Sequence, residues 1–278
     1  MTTHTLTIGG VTVTALSDGV LSFPRANFFP AIPAEQWAPY QDNLTADDRV
    51  SFNLGSFLLR MAGHTILVDT GMGPLPASDP EAGYGKLIAD LKAKGIRPGE
   101  IDLVVMTHLH RDHVGWNLSA PAKRPTLTFP KARYWVSAAD WEFFSKEENL
   151  ARFPTTRTCV LPLQGLGRLY LMDGEHALTP EVTALPTPGH TPGHMSILIA
   201  SQGEKAVILG DVAHLPLQVQ ETGWRSRADV EPDVAEATRR ALMDRIESEG
   251  MAVVAGHFPA PGFGRLVRVN GKRVFRGV

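Results

Sequence analysis

THLHRDHVGW (Thr107–Trp116) places three histidines and one aspartate within the six positions 108 to 113. Neutral imidazole and carboxylate are ligands of zinc and related divalent ions. In an extended chain, residues i and i+2 face the same side. His108 and His110 can therefore grip one ion. Asp112 and His113 follow after the chain has begun to turn and can face a different point. One ion takes about four ligands, so the stretch needs partners from elsewhere.

Those partners stand at the ends of short apolar runs. Leu103-Val104-Val105-Met106 leads into Thr107 and His108. Three further runs behave alike: Val182–Leu185 leads through PTPG to His190, Ala206–Gly210 to Asp211, and Ala252–Gly256 to His257. Continuous apolar runs of this length read as strands buried on both faces, and sites gather beyond the carboxyl ends of such strands. Five histidines and two aspartates would then converge. Seven ligands are too many for one ion and suit two ions sharing a bridge. Asp211 is the candidate bridge, because a carboxylate offers two oxygens. His4, His64 and His176 stand alone and are given no role. His194 repeats the PGH pattern of His190 and is read as a support. Asp69, ending a strand in DTG, reads as a turn residue or as a carboxylate orienting a ligand histidine, and the second is favoured.

Composition narrows the class. The chain has 278 residues, 43% hydrophobic and 20% charged, with a formal net charge of −2; this is the make-up of a water-soluble globular protein. No basic block suited to nucleic acid is present. The one cysteine, Cys159, cannot form an internal disulfide. No basic, apolar leader opens the chain and no apolar run approaches the roughly 20 residues of a membrane helix. A cytoplasmic location is expected, with no membrane partner.

Residues 1–278 read as one domain. Thr5–Ile8 and Val11–Leu16 flank Gly9-Gly10 as a hairpin, and Phe57–Arg60 and Thr65–Val68 flank Ala62-Gly63 as a second. Helices are expected over 84–94, ending at Gly95, and over 233–249, with Asp233 as N-cap and Gly250 as stop. Between the hairpins, about 22–52 carries four prolines and several aromatics without a period, and is expected to form an irregular arm. Such an arm is either a surface loop packed by its own aromatics or a lid or homodimer arm.

HLHRDH (108–113) with His190, Asp211 and His257 resembles the HxHxDH…H…D…H set of the metallo-β-lactamase superfamily. DTG (69–71) and TPGHTPGH (187–194) match its recurring segments. The resemblance runs from the hairpin at 57 to His257 and implies an α/β fold, an αββα sandwich of two mixed β-sheets flanked by helices. Carried over by position, His108, His110 and His190 would hold the first metal. Asp112, His113 and His257 would hold the second, with Asp211 between. Two divalent ions are implied, zinc first, with manganese, cobalt, nickel or iron according to supply.

Departures from the family's branches sharpen this. Zinc-cysteine β-lactamases have cysteine where this chain has Asp211. Flavodiiron proteins have glutamate where His110 stands. RNA-processing branches add a domain or arm, and no basic C-terminal module for glutathione is evident. The look is closest to the lactonase, arylesterase and methyl-parathion-hydrolase-like branch. Acyl-homoserine lactonases there have tyrosine three residues after the bridging aspartate; this chain has His214.

The expected reaction is opening of a lactone or ester by a hydroxide shared between two ions, with phosphotriester hydrolysis as a side activity. Asp112 would move a proton and His214 would donate one or bind substrate. Trp116, Phe28 and Phe29 would bind an apolar lactone or ester, helped by Phe23, Trp37, Phe143 and Phe144. Two alternatives stand beside this: a mononuclear iron enzyme of the persulfide dioxygenase kind, and a thioester hydrolase of the glyoxalase II type.

Overall fold

The computed structural model describes residues 4–75, 79, 82–119 and 125–278. Two seven-stranded sheets form its centre. The first runs in chain order: β1 (Thr5–Ile8), β2 (Val11–Pro24), β3 (Arg49–Met61), β4 (His64–Val68), β5 (Leu103–Val105), β6 (Arg133–Ser137) and β7 (Leu169–Met172). Its first four strands are antiparallel neighbours, and β4 to β7 are parallel. The second sheet holds β8 (His176–Ala177), β9 (Val182–Pro186), β10 (Met195–Ser201), β11 (Glu204–Ile208), β12 (Ala252–Val254), β13 (Phe263–Val269) and β14 (Lys272–Gly277), neighbours in that order. Its pairs are antiparallel except β11 with β12.

The apolar runs are continuous because successive residues enter different cores. From each strand, alternate side chains fill the space between the sheets. Leu103 and Val105 of β5 join Ala206 and Ile208 of β11 and Ala252 and Val254 of β12 there. The residues between them point outward into helix-covered layers. Val104, Leu67 and Tyr134 pack with Leu87 and Leu91 of the helix Leu87–Ala93. Val207 and Val253 pack with Leu242, Met243 and Ile246 of the helix Pro232–Glu249. The αββα layering follows from these two outer cores around one inner core. No helix among the described residues is long and apolar enough to cross a membrane.

Local details depart from expectation. The helix expected from residue 84 starts at Leu87; the Leu87 N–H donates to the Asp18 carboxylate at 2.7 Å. The long helix begins at Pro232, with Glu231 in the N-cap place. Asp233 lies in its first turn and pairs with Arg225 at 2.7 Å instead of capping. Proline at the first helical position starts the helix without a side-chain cap.

The stretch 22–52 is more regular than its composition suggests. β2 continues to Pro24 and β3 begins at Arg49, with Leu21 opposite Phe52 and Phe23 opposite Val50. Between them lie a short helix (Arg25–Phe28) and a 3-10 segment (Ala34–Asn43). The Arg25 guanidinium closes the base on Asp48 through two 2.8 Å hydrogen bonds. Phe28, Phe29, Trp37 and Phe52 are buried against Leu215, Leu217 and Trp224 of the same chain. The excursion therefore leans from the first sheet onto the segment that follows Asp211.

Candidate metal centre

Beyond β5 the chain crosses the sheet edge and coils into a single turn, Arg111–Val114. His110 holds extended backbone just before it (φ −68°, ψ 157°). The turn is clamped to the DTG loop after β4: the Thr70 N–H donates to the His113 carbonyl at 2.8 Å, and the Gly115 N–H to the Gly71 carbonyl at 2.7 Å. This approach explains Gly115. A Cβ there would lie 2.0 Å from the Met72 carbonyl carbon.

The structure brings all seven expected ligands together. Ligand atoms of His108, His110 and His190 lie within 4.8 Å of one another, as do those of Asp112, His113 and His257. His113 Nε2 is 3.2 Å from Asp211 Oδ1, while His190 Nε2 is 3.2 Å and His257 Nε2 3.1 Å from Asp211 Oδ2. Asp211 thus stands between the two groups. Its neighbour His214, expected to face substrate, also reaches it, with Nε2 3.2 Å from Oδ2.

The opposite nitrogens of four rings are fixed by a surrounding set of partners. His113 Nδ1–H donates to Asp69 at 2.8 Å, and His190 Nδ1–H to Asp229 at 3.0 Å. His257 Nδ1–H donates to the Asn53 carbonyl at 2.9 Å. His108 Nδ1 meets Thr107 Oγ1 at 3.1 Å, and that hydroxyl donates to Asp69 at 2.8 Å. A bond of this kind selects the tautomer whose Nε2 lone pair points inward. Asp69 adopts φ +60° and also accepts the Thr107 N–H, so it holds two histidines at once. His194 lies behind the ligands: its Nε2 accepts the Asp211 N–H at 2.8 Å and its Nδ1 meets Thr187. Asp140 fastens the TPGHTPGH loop, accepting from Thr191 Oγ1 at 2.9 Å and the Gly193 N–H at 2.7 Å.

Burial sets the electrostatics. Desolvation holds His108 and His110 well below the usual imidazole range, and takes His194 down to about 3. For His113, His190 and His257 burial also opposes charge, but Asp211 and other carboxylates outweigh it and raise all three, His190 to about 9. Asp211 is buried, which alone would raise it, yet the surrounding imidazoles hold it well below the carboxylate range. The cluster thus favours positive charge at its middle.

A metal fits that middle. His108 Nε2, His113 Nε2 and Asp211 Oδ1 are buried with no hydrogen-bond partner. Each such orphan costs about 1–3 kcal/mol if left unsatisfied. Three aimed at one place are accounted for by cations, and the all-nitrogen-and-oxygen donor set suits zinc and its neighbours.

A cavity of about 360 Å³ opens over the cluster, touching His110, Asp112, His190, Asp211, His214 and His257. Phe28 lines it as expected, and so do Phe23, Phe52 and Phe153. Trp116 and Phe29 do not, which corrects two expected substrate contacts. The Trp116 indole N–H turns to Asp18 Oδ1 at 2.8 Å, since an indole packed into the core seeks an acceptor. Phe29 is wholly buried behind Phe28, against Trp37 and Trp224. Phe144 backs His110 from within the core rather than facing the cavity. Asp229 and the Asn53 carbonyl are the contributors that sequence reasoning missed.

Fold and site together define a protein with a buried histidine–carboxylate centre at one edge of an αββα sandwich. The profile of the Metallo-beta-lactamase superfamily matches residues 56–257, and the chain belongs to that superfamily. It is 28% identical over 182 residues to an N-acyl homoserine lactonase of a Bacillus species, an alignment covering 60% of this chain and 66% of that relative. The solved structure of the hydrolase AbOPH superposes with a TM-score of 0.86 at 26% identity, covering 99% of this chain and 97% of that one. AidC, a dizinc quorum-quenching lactonase solved with its product, matches in fold with a TM-score of 0.86 at 23% identity, over 99% and 96% of the two chains.

Proposed function

We propose that this protein is a dinuclear metal-dependent hydrolase of lactone or ester bonds. The observation that carries the reading is the inward aim of unsatisfied nitrogens on His108 and His113, whose opposite nitrogens are held from outside, beside an unsatisfied oxygen of Asp211. His108, His110 and His190 would hold one ion, and Asp112, His113 and His257 the other, with Asp211 shared between them. When bound, two divalent ions supply Lewis acidity and lower the pKa of water to near 7. The similarity to an N-acyl homoserine lactonase supports the bond class. Zinc is proposed as the metal, from the donor chemistry.

The chain's own groups do the rest. Asp112 is half-buried at the cavity's edge, with Oδ2 3.5 Å from His257 Nε2. As water adds to the carbonyl carbon and the acyl–oxygen bond breaks, Asp112 carries the proton to the leaving oxygen. His214 stacks on His257 and packs edge-on against Phe28. Burial lowers its pKa, so it works as a neutral imidazole that orients the substrate. Phe23, Phe28 and Phe52 provide an apolar wall that excludes water. Hydrolysis of hydrophobic phosphotriesters is proposed as a side reaction at the same centre.

The test is a hydrolysis panel on zinc-loaded protein: acyl-homoserine lactones of several lengths, simple γ- and δ-lactones, aryl esters and paraoxon-type triesters. Turnover of lactones or esters is expected. His214→Ala should retain both metals and lose turnover, and full activity in that variant would remove His214 from the mechanism.

A further inference from the structure

The cavity's outer wall is cationic in a way that lactone or ester hydrolysis does not require. Arg111, Arg152 and Arg227 all line it. Each guanidinium lies over an aromatic ring: Arg111 over Tyr84 at 5.6 Å, Arg152 over Phe153 at 5.0 Å and Arg227 over Phe23 at 5.5 Å. Several other arginines take carboxylates, as Arg25 does Asp48, Arg268 does Glu247 and Arg273 does Asp244, although Arg133 also stacks on a ring, that of Tyr170. Among the described residues, none of the three cavity arginines has a carboxylate partner within salt-bridge distance. Stacking orients a guanidinium; among the described residues the Arg152 and Arg227 forks have no hydrogen-bond acceptor, while Arg111 Nη2 donates to the Tyr84 hydroxyl at 3.1 Å and keeps its other N–H groups for an oxyanion.

Their placement is divided. Arg227 belongs to the Phe23–Phe28 wall, its backbone N–H donating to the Phe28 carbonyl at 2.9 Å. Arg111 and Arg152 flank Phe153 in the main cavity and together border an adjoining recess of about 290 Å³. Among the described residues, the only carboxylates on the main cavity's lining are Asp112 and Asp211, both in the metal cluster. Bound cations would make the field there still more positive.

We propose that the substrate carries an oxyanion group, such as a carboxylate, joined by a short apolar linker to the scissile lactone or ester. The anion is held between Arg111 and Arg152, the linker lies along Phe153, and Arg227 steers approach. This deepens the reading as a hydrolase and rests on it.

The test uses matched 4-nitrophenyl esters of adipic acid, one with its distal carboxylate free and one capped as the methyl ester. The leaving group is identical, so a difference in kcat/KM reports recognition of the anion. A preference of about tenfold for the free acid is expected, the size of a charge-assisted contact, weakening as salt rises. Arg152→Gln and, separately, Arg111→Gln should bring the ratio of the two kcat/KM values towards one, chiefly through KM. Equal rates for the two esters in the wild-type enzyme, or an unchanged ratio in both variants, would overturn the proposal. If neither ester is hydrolysed, the hydrolase reading is decided separately by the lactones of the panel, and the anion site is read by calorimetry with the non-hydrolysable adipic acid monoanilide. Binding that exceeds that of its methyl ester and is lost in Arg152→Gln upholds the site; equal binding of the two overturns it.

Discussion

Four histidines of the centre are held through Nδ1, by Thr107, Asp69, Asp229 and the Asn53 carbonyl. This outer ring decides which nitrogen is offered to a metal. Asp229→Asn weakens the grip on His190 and should lower metal affinity about 10- to 100-fold, read by competition with a chromophoric chelator; unchanged affinity would show that His190 is oriented by packing alone. Asp140 gives a separate, pH-dependent signal. Burial raises its pKa from 3.8 to about 6. A raised carboxyl favours the folded state below the unfolded value and loses that contribution as pH rises through the folded value. Stability from this group should therefore fall by roughly 3 kcal/mol between about pH 4 and pH 6. Asp140→Asn should flatten that part of the profile in urea unfolding, and parallel profiles would contradict the assignment. At this scale the seven candidate ligands were legible because histidines and aspartates clustered at apolar strand ends have few other uses. Asp69 was half-legible from DTG. Asp229 was not, since neither acid of RADVEP has a motif spacing to any ligand, and Asn53 acts through its backbone, where side-chain identity carries no signal.

Two elements meet in the clamp between the DTG loop and the turn Arg111–Val114, and Gly115 makes their contact close enough for hydrogen bonding. Gly115→Ala should force them apart, destabilising the protein by about 1–3 kcal/mol and lowering metal occupancy together with stability. Thermal unfolding with elemental analysis would check this, and a variant as stable as wild type would show that the loop yields freely. The strands leading to ligands were legible from apolar runs because both faces of each strand are covered. The long β2–β3 ribbon was not: Leu21 pairs with Phe52 across an excursion full of prolines, and such pairing leaves no local pattern. Trp116 was misplaced for a similar reason, because its partner Asp18 is far away in the chain.

At the scale of the whole molecule, the two sheets bring strand ends from the first and second halves of the chain to one edge, and neither half contains a complete site. The resemblance carried by the motifs implied that architecture, and the layered cores explain it physically: each apolar run is shared between the inner core and a helix layer. What the substrate meets was harder to read, since the cavity wall combines Phe23, Phe52, Phe153 and three arginines from distant segments. The central claim is that Asp211 joins two metal sites into one working centre. Elemental analysis of purified, zinc-loaded wild type and Asp211→Ala, with lactone hydrolysis measured on the same samples, tests it most directly. The account predicts about two zinc ions per chain in the wild type, with metal content and turnover falling together in the variant. A single iron per chain in protein purified without added metal, or an Asp211→Ala variant that keeps both ions and its activity, would contradict it.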